Sequence, residues 1–267
     1  MAILSISREY QSGGEEIGQA VANKLDYVFV DKERILKDLK DSGGKWGHLV
    51  EELDEVRPSL WEKYDWQYQG FTALIESYIY DYALKDRVVI LGRGSIFLLQ
   101  AIPHVLKVRL VAPLEVRINR VMVQDDVDRE TAEWLIQKTD RTRAGYIQAV
   151  FGKHWEDQEH YDLIFDTGVE TYEEVTRKLV EALKEWEQRA TPEGLEQLKN
   201  LALTAKIKAR VFTHPGIFIP TLKIFHDGQA VVLTGVVHSP KEYHLVDEMV
   251  HKIADPHPIR NELHYRK

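Results

Sequence analysis

The sequence predicts an α/β protein: a three-layer α/β/α sandwich on a mostly parallel sheet, followed by a small second α/β domain. Three observations carry this. Short apolar runs of strand length at Ile3–Ile6, Tyr27–Val30, Arg87–Leu91, Val105–Val111 and Tyr161–Asp166 alternate with stretches whose apolar residues recur at helical spacing. Strands joined through helices are crossover units, and crossover units build parallel sheets. Past the turn residues Ala190–Gly194 two apolar runs flank Asp227–Gly228, a strong short turn signal for a hairpin.

The elements follow in order. After the first strand, Gln11-Ser12-Gly13-Gly14 turns into a helix from Ile17 to Leu25. Asp31 is a suitable N-cap for a helix after the second strand. Residues Asp41 to Gln69, rich in Gly, Glu, Trp and Tyr and interrupted by Pro58, read as a mobile insertion. A helix over Phe71–Leu84 leads into the third strand, which ends in Gly92-Arg93-Gly94. Ala112-Pro113 stops the fourth strand and opens a helix carrying Arg117 and Arg120. A long helix over Arg129–Tyr146 bears Asp140, Arg141 and Arg143, and an amphipathic helix over Val169–Arg189 follows the fifth strand. The boundary at Ala190–Gly194 separates a domain of residues 1–190 from one of 195–267. The second opens with a helix over Leu195–Arg210 and continues with the hairpin Leu222–Phe225 and Ala230–Val237. Ser239-Pro240 then caps a helix over Lys241–Ile253, and a last strand lies around Asn261–Tyr265.

Composition narrows the function classes. The chain has 267 residues, 44% hydrophobic and 29% charged, with no cysteine, which removes disulfides, thiol catalysis and thiolate zinc sites. A net charge of −8 argues against non-specific nucleic-acid or membrane-surface binding while leaving room for a local basic pocket. No apolar run approaches the ~20 residues of a membrane span, and the first residues form a strand pattern unlike a signal peptide, so a cytoplasmic location is expected. Seven of the eleven histidines follow Thr213, without a tight pair or carboxylate cluster, and read as solvated surface. The aromatic residues from Trp46 to Tyr82 fit core or interface better than base stacking.

Strand, glycine turn and helix together make an arrangement that cradles phosphate: glycines let several backbone N–H groups converge, and the helix dipole adds positive potential. The loop departs from the G-x-x-x-x-G-K-[ST] signature. With Gly13 as the second glycine, Arg8 stands at the first, Gly14 at the lysine and Glu15 at the hydroxyl. Positive charge must therefore come from elsewhere in the chain. Arg93, on a glycine turn ending a buried strand, is the strongest candidate, because a charge in a sheet crevice needs a partner of opposite sign. Arg117 and Arg120 read as surface residues or lid-side pairs, and taken alone Arg141 and Arg143 read as solvated helix residues. Ligands of parallel sheets sit beyond the strand carboxyl ends, where Arg8–Gly14, Asp31, Arg93 and Asp166–Gly168 converge.

The stretches Ile6–Gly18, Val89–Gly94, Val111–Val121, Thr139–Tyr146 and Tyr161–Thr167 together resemble the cytidylate kinase-like family, within the P-loop nucleoside monophosphate kinases. The likeness covers residues 1 to about 185. It implies ATP-dependent phosphoryl transfer with Mg2+ to a pyrimidine nucleoside monophosphate such as CMP or dCMP. On this likeness Arg8 and Gln11 to Glu15 belong to the donor-phosphate loop, with Ser12, Gly13 and Gly14 supplying backbone donors. Arg93 contacts the acceptor phosphate, Arg141 and Arg143 close over the transferring group, Asp140 orients them, and Asp166 and Thr167 lie near the donor base. Family members usually carry glycine where Gln11 stands and a basic residue where Glu15 stands. That substitution motivates a second reading, a catalytically silent nucleotide-sensing protein. The remainder, through Leu203–Ile207, Asp227-Gly228, Val232–Ser239 and Asn261–Leu263, is similar to a BON domain, which implies an unidentified small ligand or protein partner.

Overall fold

Residue Ile3 pairs with Val88 on one side and Val105 on the other, which places the first strand at the centre of a five-stranded parallel sheet. The computed structural model describes residues 2–41 and 65–265. The strands are β1 (Ile3–Arg8), β2 (Val28–Val30), β3 (Val88–Leu91), β4 (Val105–Val111) and β5 (Leu163–Asp166), ordered β2-β3-β1-β4-β5. Alternation along β1 sends Leu4 and Ile6 into a core with helices α1 (Gly14–Leu25) and α7 (Tyr172–Trp186), through Val21, Val175 and Leu179. Each such aliphatic side chain contributes about 1.5–3 kcal/mol on full burial. The opposite face carries Ser5 and Ser7. Ser5 meets Ser95 of the short helix α4 (Ser95–Leu98) at 2.6 Å, Oγ to Oγ.

The remaining helices are α2 (Lys32–Asp41), α3 (Trp66–Leu84), α5 (Leu114–Asp125) and α6 (Arg129–Phe151). Local chemistry sets their ends. The Asp31 carboxylate accepts from the Arg34 amide at 2.8 Å, as its N-cap role requires. Helix α3 starts at Trp66, earlier than the periodicity predicts, because Asp65 accepts from the amides of Gln67 and Tyr68. Helix α6 outruns its predicted end and stops at left-handed Gly152. Helix α7 begins at Tyr172, since Thr171 and Glu174 form a capping box and Val169–Glu170 instead turn back onto the Asp166 carbonyl.

The chain divides into two units that are not the contiguous blocks 1–190 and 195–267. Residues 2–41 and 85–194 form the first, while 65–84 group with 195–265. Helix α3, placed by the sequence reading inside the first domain, adds Ala73 to the second core, and its Trp66 ring lies 4.6 Å from that of Phe212. Proximity in sequence does not decide which core an amphipathic segment covers. Of the expected mobile insertion, residues 42–64 lie outside the described residues, Trp46 and Pro58 among them; Trp66 to Gln69 are helical, and Tyr68, Tyr80 and Tyr82 are buried.

In the second unit α8 (Pro192–Phe212) begins within the predicted boundary, with the Thr191 hydroxyl accepting from the Gly194 amide. Strands β6 (Lys223–His226) and β7 (Val231–Val237) form the predicted hairpin, where amides of Gln229 and Ala230 hold the Asp227 carboxyl down at about 2. Strand β8 (Ile259–Tyr265) runs parallel to β7 after α9 (Pro240–Ala254), which Ser239 caps with Pro240 as its first residue. No helix among the described residues is long and apolar enough to cross a membrane.

Candidate active site

The carboxyl ends of β1, β3, β4 and β5 share one edge of the sheet, and the loop leaving β1 occupies its middle. That loop is held by its carbonyls. The Arg8 carbonyl accepts from Arg143 Nη1 at 3.1 Å, Tyr10 from Arg117 Nη1 at 3.4 Å, Gln11 from Arg120 Nη1 at 2.9 Å and Ser12 from the Thr167 hydroxyl at 3.0 Å. The Glu9 carbonyl takes the Ser12 hydroxyl at 2.9 Å. Gly13 is left-handed and caps α1 with no side-chain acceptor, so among the described residues no N-cap side chain takes the first-turn amides of Gly14, Glu15 and Glu16.

Gln11 has φ 61°, the left-handed region. A non-glycine residue there costs about 1–2 kcal/mol. A Cβ on Gly13 would stand 2.4 Å from the Tyr172 ring, and one on Gly14 2.7 Å from Arg8 Cγ. The Arg8 side chain thus runs across Gly14 and ends against Gly92, where a Cβ would meet its Nη1 at 2.4 Å. Gly13 therefore answers both packing and a left-handed turn, Gly14 answers packing alone, and Gly92 is required by its φ of 77°, since the tip of the Arg8 side chain can move aside.

At the end of β3, Gly92, Arg93 and Gly94 are all left-handed. Such strain in an arginine with 6% exposure persists only where the surroundings enforce it. Arg8, Arg93 and Arg143 line one cleft with Ser7, Ser95, Phe97, Tyr146 and Trp155. Among the described residues its lining carries these three arginines and no carboxylate. A second, open cleft lies beside Arg120, Gln11, Thr167, Gly168 and Tyr172, with Val123 and Val169 exposed and Glu16, Glu170 and Glu173 around it. Burial pushes the Tyr172 phenol up, and the Arg120 guanidinium lies 5.1 Å from its ring centroid.

The predicted residues are therefore brought together in part. Arg8, Arg93 and Arg143 share the basic cleft; Gln11 and Thr167 line the open one; Ser12 is buried with its hydroxyl bound to the Glu9 and Leu110 carbonyls. Glu15 is exposed in the first turn of α1, and the Asp166 carboxylate accepts from the Gly168 amide. Arg141 is exposed on α6 and lines neither cleft. Asp140 serves a different partner from the expected lid arginines: its carboxylate accepts from the Tyr10 amide at 2.8 Å and from Arg117 at 2.5 Å.

Four residues escaped the sequence reading. Arg117, read as a surface residue or a lid-side pair, is buried, pairs with Asp140 of α6 and also faces Glu9 at 3.5 Å. Arg120, given the same two readings, clamps Gln11 and Thr167. Arg109 is 4% exposed, lies over the Trp155 ring at 4.4 Å, donates to the Trp155 carbonyl at 2.9 Å and faces Glu9 at 3.8 Å. Glu9 joins these arginines to the loop. The available signal was a charged residue inside the β4 apolar run and two arginines three apart just past the strand end.

Two ligand groups implied by the resemblance meet different fits. The left-handed glycine turn, the packed glycines and the basic cleft suit a nucleotide polyphosphate. Among the described residues no three His, Cys, Asp or Glu side chains gather to hold an ion. Magnesium carried on a polyphosphate needs only one or two carboxylates and water, so it fits as part of the nucleotide.

A family model described as the cytidylate kinase-like family matches residues 3–169. The cytidylate kinase of Saccharolobus islandicus is 22% identical over 166 residues, 62% of this chain and 82% of that protein. A stretch of 99 residues is 31% identical to the uronate isomerase of Corynebacterium glutamicum, 37% of this chain, which spans about a fifth (19%) of that relative's length. A crystal structure of an uncharacterized protein from Eubacterium ventriosum aligns with a TM-score of 0.56 at 20% identity, covering 69% of this chain and 99% of that one, a likeness of fold. Since the family model takes in the glycine loop, the arginine turn after β3 and the turn after β5, and spans more than half of the sequence, the chain belongs to the cytidylate kinase-like family.

Proposed function

We propose that this chain transfers a phosphoryl group from ATP to a nucleoside monophosphate, with CMP or dCMP the preferred acceptor. The observation that supports the reading is the joint placement of Arg8, Arg93 and Arg143 in one cleft at the end of the strand that leads into the glycine loop. ATP with Mg2+ supplies the γ-phosphoryl group, which passes in line to an acceptor phosphate oxygen as the bond to the β-phosphate oxygen breaks and ADP leaves. The protein's part is positioning and charge. Arg93 holds the acceptor phosphate, Arg8 and Arg143 neutralise the equatorial oxygens, and the outward amides after Gly13 orient the donor. The carboxylate-rimmed open cleft repels phosphate and suits the uncharged donor base. The second unit acts as a BON-like module for a small ligand or protein partner.

Glu15 favours a second reading, a nucleotide sensor without turnover, because an exposed carboxylate in the first turn of α1 opposes the charge of a triphosphate. ADP release with ATP, magnesium and a panel of nucleoside monophosphates separates the two. Release dependent on CMP or dCMP supports the transferase. Calorimetric binding without release, with turnover appearing in Gln11→Gly, Glu15→Arg, supports the sensor. Absence of both binding and release refutes each.

A further inference from the structure

We propose that Arg120 is a positioning residue that sets the shape of the phosphate loop by bracing the strained Gln11 peptide, an inference that rests on reading this loop as a nucleotide site. Arg120 Nη1 donates to the Gln11 carbonyl at 2.9 Å and to the Thr167 hydroxyl at 3.0 Å, while Nη2 donates to the Thr167 carbonyl at 2.7 Å. The Thr167 hydroxyl passes its own proton to the Ser12 carbonyl at 3.0 Å. Two successive peptides, 11–12 and 12–13, are thereby pinned with their carbonyls toward Arg120 and Thr167. A trans peptide points its N–H opposite to its C=O, so the Gly13 amide is turned to the other side.

The arrangement compensates for this chain's own sequence. Glycine visits the left-handed region at no steric cost, whereas Gln11 at φ 61° is kept there against its preference. A guanidinium is suited to the task, since its rigid fork reaches three acceptors on two segments and the single ammonium of lysine does not. Tyr172 lies beside the Arg120 guanidinium and also covers Gly13, which ties the brace to the turn that ends the loop.

The test measures binding of ATP with Mg2+, and of adenosine as the control, by calorimetry on Arg120→Lys, Gln11→Gly and the double variant of the full chain. Bracing of Gln11 predicts that Arg120→Lys weakens ATP about ten-fold in the parent and about three-fold or less beside Gln11→Gly, with adenosine little changed. Equal losses in the two backgrounds, or full affinity in Arg120→Lys, overturn the proposal, because a residue acting on the ligand through its charge would behave that way. Should Arg120→Lys fail to fold, Thr167→Val in the same two backgrounds makes the same comparison. ATP binding by the parent without ADP release defeats the transferase reading and leaves this inference standing. No ATP binding by the parent defeats both.

Discussion

Asp140 and Arg117 stand 2.5 Å apart, Oδ2 to Nη1, and join α6 to α5 beside the loop that leaves β1. Arg117 also faces Glu9 at 3.5 Å and donates to the carbonyls of Tyr10 and Ala112. Removing Asp140 leaves a guanidinium with 10% side-chain exposure short of one counter-charge and frees the Tyr10 amide.

Asp140→Asn is therefore expected to destabilise the first unit by about 2–3 kcal/mol, below the full loss of a buried pair because Glu9 remains. Urea unfolding followed by circular dichroism measures this. A midpoint unchanged from the parent would show that the pair carries no net stability.

Arg93→Met should lower kcat/KM for phosphoryl transfer by about 100-fold, the usual effect of deleting one charge-stabilising donor. Steady-state ADP release against acceptor concentration reads it. Arg141→Met, altering an exposed residue outside both clefts, should change the same quantity by less than about two-fold, a surface-size effect.

Gln11→Gly should raise stability by a few tenths to about 1 kcal/mol, because relief of the left-handed strain exceeds the added freedom of the unfolded chain. Thermal denaturation of the nucleotide-free protein checks it. A lower melting temperature would mean that the side-chain contact of Gln11 with Gln124, 3.1 Å, outweighs the strain.

His104 supplies a pH prediction. Burial pushes its pKa down, with Asp86 opposing the shift, and its Nδ1 is buried without a hydrogen-bond partner among the described residues. Below the ordinary histidine pKa of 6.5 the unfolded chain takes up a proton that the folded chain refuses, so stability falls as pH drops from 6.5 toward the depressed value. Urea midpoints at about pH 7.5, 6.5 and 5.5 should decline in the parent and decline less in His104→Leu. Parallel declines would assign the acid sensitivity to other groups.

The mostly parallel sheet was legible because its strands are short, apolar and separated by helices, whereas the order β2-β3-β1-β4-β5 was not, since several strand orders share that pattern. Helix ends were less so, since capping by Asp65 or by Thr171 with Glu174 outweighs apolar periodicity at the margins. In the site, Arg93 could be found because the glycines beside it mark a turn at a strand end. Arg117, Arg120 and Arg109 could not, because an arginine that binds backbone carbonyls is indistinguishable in sequence from a solvated one. Asp140 was noticed on the likeness of its segment, but its partner sits on another helix and no local spacing announces it.

Helix α3 lies between β2 and β3 in the chain yet completes the core of the second unit. Two polypeptide crossings, one on either side of this helix, therefore tie the units together in addition to the link near residue 194. Cutting near residue 194 would leave the carboxyl-terminal fragment without the helix that contributes Ala73 to its core.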